Sequence, residues 1–425
     1  MRNLIPTIIL IVIVLAIDFY AFKSLKLVVS DWQKSMFRNG AIVLYWLTSI
    51  AAYTMLIYAV LAFSRESSVK MNYYFFFMGF ALILLILIPK IVVVFFHLLD
   101  DVTHLFRWIT SKLFINTTEP DSEVKMNAIT RWQFLSRLGW VLAAIPFISI
   151  LYGVVRGRFN FKIMKEDLVF ANLPKDANGL KVIQISDIHI GSFFNNYDSL
   201  LPAIKRINDL EPDLILFTGD IVNNYAEELD GWLEHIGSLE AKMGKYSILG
   251  NHDYGDYVRW PSEEQKQQNL DQLKSYHSQM GFKLLLNEKV EIDLPTGESF
   301  ELIGVENWGE GRFSKYGDLK EAMKNTNPKK FQVLLSHDPS HWDAEVIKQT
   351  HVDLTLSGHT HGMQFGVEIP GVVKWSPAKY RYPRWAGLYK EGKQLLYVNR
   401  GLGYIGFPGR VGMPPEITLF TLKTT

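Results

Sequence analysis

The sequence predicts an α/β domain of strand–turn–helix units preceded by an all-α, strongly apolar region. Up to about Arg158 the chain is dominated by long apolar runs. Beyond it, short apolar runs alternate with polar turns containing Gly and Asp, the pattern of βαβ units around a largely parallel sheet. Several of those short runs end in Asp, Asn or His, and that recurrence marks where chemistry is expected.

The apolar region comes first. With 425 residues the chain exceeds the usual length of one domain. Its apolar runs are Leu4 to Phe22, Ala41 to Phe63, Tyr73 to about Leu99, and Leu138 to Val155. Crossing the hydrocarbon core takes about 20 predominantly apolar residues in a helix. The first two runs meet this almost without charge. The third is over-long and carries Pro89-Lys90, which predicts a kink; the fourth contains Pro146 and predicts a short or tilted span. Tyr20, Trp46, Trp140, Tyr152 and Arg156 stand near run ends, as interfacial anchors do. Runs this long with no polar face have nothing to present to water. A cleaved signal peptide would account for the first alone. The expectation is a transmembrane anchor of about four helices over residues 1–158, with a polar linker near 116–130 and a second domain over 159–425. The Asn116-Thr117-Thr118 sequon in that linker is read as chance.

Four spans place both termini on one side. Basic residues are nearly balanced: Lys23, Lys26, Lys34, Arg38, Arg131 and Arg137 face Arg2, Arg65, Lys70, Arg156, Arg158, Lys162 and Lys165. The segment Thr130 to Leu135 resembles a twin-arginine export signal without its second arginine, which favours an extracytoplasmic second domain.

Composition removes several functions. A net charge of +1 offers no basic face for nucleic acid. The absence of cysteine excludes disulfides, thiolate catalysis, zinc fingers and iron–sulfur clusters.

In the second domain, strands are predicted at 181–186, 213–218, 246–249, 300–304, 331–335, 352–356, 395–399 and 417–422, with helices at 199–210 and 227–239. Five strands are each followed by potential ligands: Asp187-Ile188-His189, Gly219-Asp220, Gly250-Asn251-His252-Asp253, Ser336-His337-Asp338, and Gly358-His359-Thr360-His361-Gly362. Open α/β sheets bind ligands at the carboxyl ends of their strands. Imidazole, carboxylate and amide donors together suit borderline divalent ions such as manganese, iron or zinc. A carboxylate such as Asp220 has two oxygens and can bridge ions about 3.5–4 Å apart, which clamp a phosphoryl group and activate a water. His252, next to Asn251, is the expected proton donor to the leaving group.

These five ordered motifs resemble the calcineurin-like metallophosphoesterases from about Val182 to the C-terminus. The resemblance implies a four-layer αββα sandwich. It also implies Asp187, His189 and His361 as ligands of one metal, Asn251, His337 and His359 as ligands of the other, and Asp220 as the bridge. Phosphoprotein phosphatases of this family carry Asp three residues after the bridging Asp, where this chain has Asn223. A phosphoprotein substrate is therefore not expected. The segments Arg400-Gly401-Leu402-Gly403 and Pro414-Pro415-Glu416-Ile417 resemble the bacterial membrane-anchored branch, whose last motif reads Gly-His-Thr-His-Gly-Gly-Gln where this chain has Gly362-Met363-Gln364.

The expected activity is hydrolysis of a phosphodiester, phosphomonoester or pyrophosphate bond at a bacterial plasma membrane. The expected partners are the lipid bilayer and a lipid-linked phosphoester. The alternatives are a tethered phosphodiesterase for soluble substrates and a non-catalytic phosphoester-binding protein. Arg400 and Arg410 are read either as binding a second phosphate or as capping strands. The loop Trp375 to Trp385 is read either as a lipid-facing lip or as a packing element. His97, His104, His235, His277, His341 and His351 are read as structural.

Overall fold

The computed structural model describes residues 4–63, 69–113, 131–194, 196–311, 313–369 and 371–425. The expected linker at 116–130, its sequon, Arg2 and Arg65 lie outside the described residues. The chain divides into two compact units, Met1–Tyr152 and Gly153–Thr425.

The first unit contains α1 (Leu4–Ser30), α2 (Ser35–Phe63), α3 (Val69–Leu113) and α4 (Arg131–Val155). Large apolar side chains such as Phe19, Leu44, Phe95 and Val141 stand exposed on these helices. Among the described residues, Phe75–Leu113 and Arg131–Val155 are long and apolar enough to cross a membrane. Helix α3 outruns its apolar run, continuing through Pro89 and past Asp100 and Asp101. The Lys90 ammonium inside the unit is paired, as a charge in an apolar setting must be. It lies 2.5 Å from Asp18 Oδ1 and 2.6 Å from Ser49 Oγ, over the Tyr45 ring. This one side chain thereby ties α3 to α1 and α2.

The second unit is built on strands β1 (Lys162–Phe170), β2 (Lys181–Ile185), β3 (Leu214–Phe217), β4 (Lys245–Ser247), β5 (Phe282–Leu284), β6 (Glu288–Asp293) and β7 (Ser299–Gly304). They continue as β8 (Gln332–Leu335), β9 (Leu354–Ser357), β10 (Val367–Ile369), β11 (Val373–Trp375), β12 (Gly387–Glu391), β13 (Gln394–Val398) and β14 (Glu416–Thr424). Its longer helices are α5 (Leu201–Asn208), α6 (Leu233–Gly237) and α7 (Glu263–Gln279), with a single turn α8 (Leu319–Ala322).

One six-stranded sheet runs β1-β14-β2-β3-β4-β5, the other β12-β13-β9-β8-β7-β6, and β10-β11 form a separate ribbon. Both large sheets are mixed but largely parallel, as expected: seven of their ten strand pairs run parallel. The pairs β6/β7, β12/β13 and β14/β2 are antiparallel. Short turns at Gly297 and Gly392 make the first two hairpins, and such a connection permits only antiparallel pairing.

Alternation with a period of two sorts each strand's side chains onto opposite faces. Val182, Leu214 and Leu216 pack against Leu302, Val333, Leu335, Leu354 and Leu356 of the facing sheet. Ile183, Ile185, Ile215 and Phe217 face Ile204, Ile207, Ile236 and Leu273 of α5, α6 and α7. On the other flank Ile303, Leu334, Leu396 and Val398 pack with Leu319 and Trp342. The helix expected at 227–239 is broken. It splits into a short turn at Ala226–Leu229 and α6, because Gly231 between them has φ +81.

Candidate metal centre

The two large sheets bring the carboxyl ends of β2, β3, β4, β8 and β9 to one place. Asp187 and His189 follow β2, Asp220 follows β3, Asn251 follows β4, His337 follows β8, and His359 and His361 follow β9. Two clusters result: Asp187, His189 and His361 in one, Asp220, His337 and His359 in the other, with the donor atoms of each cluster within 4.8 Å of one another. Within the first, His361 Nε2 is 3.2 Å from Asp187 Oδ1 and 3.1 Å from His189 Nε2. In the second, His337 Nε2 is 3.1 Å from Asp220 Oδ2, while His359 Nδ1 is 2.8 Å from Asn251 Oδ1. Asp220 Oδ2 also lies 3.6 Å from His189 Nε2, so one oxygen faces a donor from each cluster.

The backbone is bent to achieve this. Asp187, His189, Asp220, His359 and His361 all have φ between +50 and +71. Non-glycine residues there cost of order 1–3 kcal/mol each and persist only where the surroundings impose them. Close packing of the strand ends is part of that constraint. Gly219 has φ +95, and a Cβ on it would lie 2.5 Å from the Gly250 nitrogen. Asp253, fully buried, accepts from the N–H groups of Asp220 and Gly250 through Oδ2, both at 2.8 Å. Through Oδ1 it accepts from Ile221 and Val222 at 2.9 and 3.3 Å. One carboxylate therefore holds the β3 and β4 loops together. The motif containing Asp253 was legible in the sequence; this capping role was not.

Each histidine is held by a partner at its outer nitrogen, and for His189 and His337 a backbone carbonyl takes the Nδ1 proton and leaves Nε2 for a ligand. His189 Nδ1 donates to the Val222 carbonyl (3.2 Å) and His337 Nδ1 to the Thr218 carbonyl (2.7 Å). His359 Nε2 lies 2.8 Å from the Tyr382 hydroxyl. His361 Nδ1 lies 3.0 Å from Arg410 Nη2. Tyr257, whose hydroxyl accepts from Asn251 Nδ2 at 2.8 Å, orients the amide in the same way. Neither tyrosine stands beside a ligand motif, so no sequence signal singles it out.

The donor set fits divalent cations. His337 Nε2 is buried and makes no hydrogen bond of good geometry despite its approach to Asp220. Burial lowers the pKa of His189, His359 and His361, keeping them neutral lone-pair donors. Burial would raise Asp187 and Asp220, but the facing imidazoles outweigh it and hold both carboxyls below their usual range. Burial likewise works against a charge on His337, yet Asp220 and Asp187 raise it to about 10. Two carboxylates thus draw positive charge into a buried space lined by imidazole and amide donors. That is the setting a borderline divalent ion fills.

These observations agree with the comparison to known proteins. Residues 180–363 match the family described as calcineurin-like phosphoesterase, and residues 1–158 match its probable transmembrane domain. The chain belongs to the calcineurin-like phosphoesterases. An uncharacterized metallophosphoesterase of Bacillus subtilis, YkuE, is 34% identical over 261 residues, 60% of this chain and 82% of that protein. One from Aquifex aeolicus is 30% identical over 285 residues, 65% of this chain and 98% of that protein. The UDP-2,3-diacylglucosamine pyrophosphatase LpxG of Chlamydia muridarum is 28% identical over 326 residues, 65% of this chain and 95% of that protein. The chain is thus a metal-dependent phosphoester hydrolase with a transmembrane region.

His252 sits at the mouth, half-buried. Its backbone N–H donates to Asp220 Oδ1 at 2.8 Å, and its Nδ1 donates to the Asn223 carbonyl at 2.8 Å. A backbone carbonyl, not a side-chain carboxylate, takes the ring N–H. The Asn223 side chain turns away to the Ser192 hydroxyl at 3.3 Å.

Neither arginine has a free fork for a second phosphate. Arg400 is bound to Glu416 (2.6 Å) and Glu368 (2.7 Å). Arg410, 1% exposed, donates to the carbonyls of Arg400, Gly401 and Gly403. The loop from Trp375 to Trp385 divides: Tyr382 and Trp385 pack with Ala378 and Met413, while Tyr380 is exposed. The remaining histidines have structural partners where they are buried. His277 meets Ser247 at 3.0 Å and His341 meets Ser336 at 2.8 Å.

Proposed function

We propose that this chain is a multi-pass membrane phosphoesterase that hydrolyses a phosphodiester, phosphomonoester or pyrophosphate bond in a lipid-linked substrate. In this reading residues 1–158 are a four-span anchor and residues 159–425 a four-layer αββα catalytic domain. The observation that carries hydrolysis is the meeting of the two clusters at Asp220, whose Oδ2 lies 3.6 Å from His189 Nε2 and 3.1 Å from His337 Nε2 and whose Oδ1 accepts from the His252 N–H. Asp187, His189 and His361 would hold one divalent ion and Asn251, His337 and His359 the other, with Asp220 serving both. When bound, the pair supplies positive charge at the phosphoryl oxygens and an activated water for in-line attack.

The chain's own side chains do the rest. His252, with Nδ1 committed to the Asn223 carbonyl, has Nε2 available to protonate the leaving-group oxygen. Tyr382 and Tyr257 hold His359 and Asn251 in the orientation that keeps Nδ1 and Oδ1 pointing inward. Asp253 fixes the loops that carry Asp220 and Asn251. The lipid-linked substrate is supported by the transmembrane region and by the activity for which the Chlamydia relative is named. An extracytoplasmic catalytic domain on a bacterial plasma membrane is the placement supported by the sequence of Thr130 to Leu135.

The test is hydrolysis of bis-p-nitrophenyl phosphate by the purified full chain with manganese, iron or zinc. Release of p-nitrophenol by the wild type, lost in His252→Ala and Asp220→Asn, is expected. Absence of turnover with every metal and substrate class overturns the reading. A panel of lipid and soluble phosphoesters decides the substrate: faster turnover of the soluble members removes the lipid clause alone.

A further inference from the structure

The β10–β11 ribbon leaves most of its apolar face exposed. Its register pairs Val367 with Trp375 and Ile369 with Val373, which puts these four side chains on one face. Glu368 pairs with Lys374 on the other. In an ordinary half-buried ribbon the apolar face packs on the core and the polar face meets solvent. Here both polar side chains are engaged by the protein: half-buried Glu368 binds the buried Arg400 at 2.7 Å, and Lys374, itself exposed, donates to the Ala386 carbonyl at 2.7 Å over the Trp385 ring. Apart from half-buried Trp375, the apolar face is exposed, with Val367 47% and Ile369 51% exposed, and Val372 beside the turn 78% exposed. Tyr380, in the turn that follows β11, is 77% exposed, and Met363, four residues before β10, is exposed as well.

Charge around the ribbon narrows what covers it. Lys379 lies over the Tyr380 ring and has no ion-pair partner among the described residues; exposed Arg381 reaches Glu310 only at 4.0 Å. The one carboxylate of the ribbon, Glu368, is already neutralised by Arg400. Exposed apolar residues with an aromatic and cations beside them match the headgroup region of an anionic bilayer. The transmembrane region already holds the domain beside such a surface, so even a weak contact is populated at high effective concentration.

We infer that the β10–β11 ribbon, with Val372 and Tyr380, dips into the bilayer surface as a second membrane contact separate from the anchor. This rests on membrane attachment and not on the proposed chemistry, so its test needs no turnover. The chain contains no cysteine, so Val372→Cys or Ile369→Cys creates a unique labelling position in the full-length protein. Each would carry an environment-sensitive fluorophore, in vesicles of phosphatidylcholine with phosphatidylglycerol. Lys329→Cys, in the exposed connection before β8, serves as reference. The expected result is several-fold stronger quenching at 372 and 369 than at 329 by nitroxide-labelled lipid, with the opposite order for aqueous iodide. Iodide access equal to that at 329, with no quenching by lipid nitroxide, overturns the inference. Shielding from iodide that disappears as the protein is diluted, without lipid quenching, would assign the face to a second copy of the chain and also overturn it.

Discussion

Two buried polar clusters lie beside each other at the strand ends, and they are wired in opposite ways. Around Glu416, Arg400 binds one carboxylate oxygen, while the Tyr397 and Thr418 hydroxyls donate to the other at 2.7 Å each. Asn399 then donates to Thr418 and accepts from the Gly401 N–H. Each of these charges meets its opposite inside the protein. In the metal centre the outer nitrogens are satisfied in the same manner, yet the inner atoms converge on one another. His189 Nε2 faces His361 Nε2, and His337 Nε2 has no hydrogen bond. Burial is equal in the two clusters, so burial does not identify function. What separates them is how the atoms meet: Arg400 is held between two carboxylates with only its Nε unpartnered, whereas in the metal centre imidazole nitrogens crowd one another and two carboxylates, an arrangement that is costly unless something else binds there.

The two clusters should therefore fail differently. The largest effect is expected at the centre's mouth. His252→Ala should lower phosphoester turnover by roughly 10²–10⁴-fold, the range for a lost general acid, with no change in unfolding midpoint. A comparable loss of stability would mean that His252 is structural. Next, Glu416→Ala should destabilise the second unit by about 3–5 kcal/mol, because it leaves the Arg400 guanidinium buried and half unpaired. Denaturant unfolding in detergent reads this, and an unchanged midpoint would show the pairing to be dispensable.

His277 tests the structural class through pH. Burial lowers its imidazole to about 4, against an ordinary 6.5. Between those values the unfolded chain takes up a proton and the folded chain does not. Its stabilising contribution is complete above pH 6.5 and declines by on the order of 3 kcal/mol as pH falls to 4. Unfolding measured across that window should lose this slope in His277→Leu; an unaltered slope assigns the acid sensitivity elsewhere. The smallest effect is expected from Tyr382→Phe, which removes only the hydroxyl facing His359. Metal affinity should weaken by roughly 10–100-fold, as for other outer partners of ligating histidines, with little change in stability. Unchanged retention in a metal titration would make Tyr382 a packing residue.

The difference between the clusters also explains what was legible in the sequence. The seven candidate ligands and His252 could be named because each sits directly after a short apolar run. Strand ends are where open sheets bind ligands. The partners that aim them could not. Tyr382 is 21 residues past His361, Thr218 and Val222 act through backbone carbonyls, and Tyr257 lies in an irregular loop. For the fold, the central strands were readable from their uniform apolar runs. The sheet edges were missed: β1 reads as charged and alternating, and β6 as mostly polar. The expected helix at 227–239 failed because a single glycine at φ +81 outweighed the pattern around it. The ribbon β10–β11 was missed because three-residue strands carry almost no periodicity.

The most direct test is a count of metal ions bound per chain, by elemental analysis of the purified full-length protein. Two per chain are expected in the wild type, with at least one lost in His337→Ala and Asp220→Asn while Glu416→Gln keeps both. A wild-type chain that binds no divalent ion, or a His337→Ala chain that keeps the wild-type number, would contradict the reading of these converging donors as a metal centre.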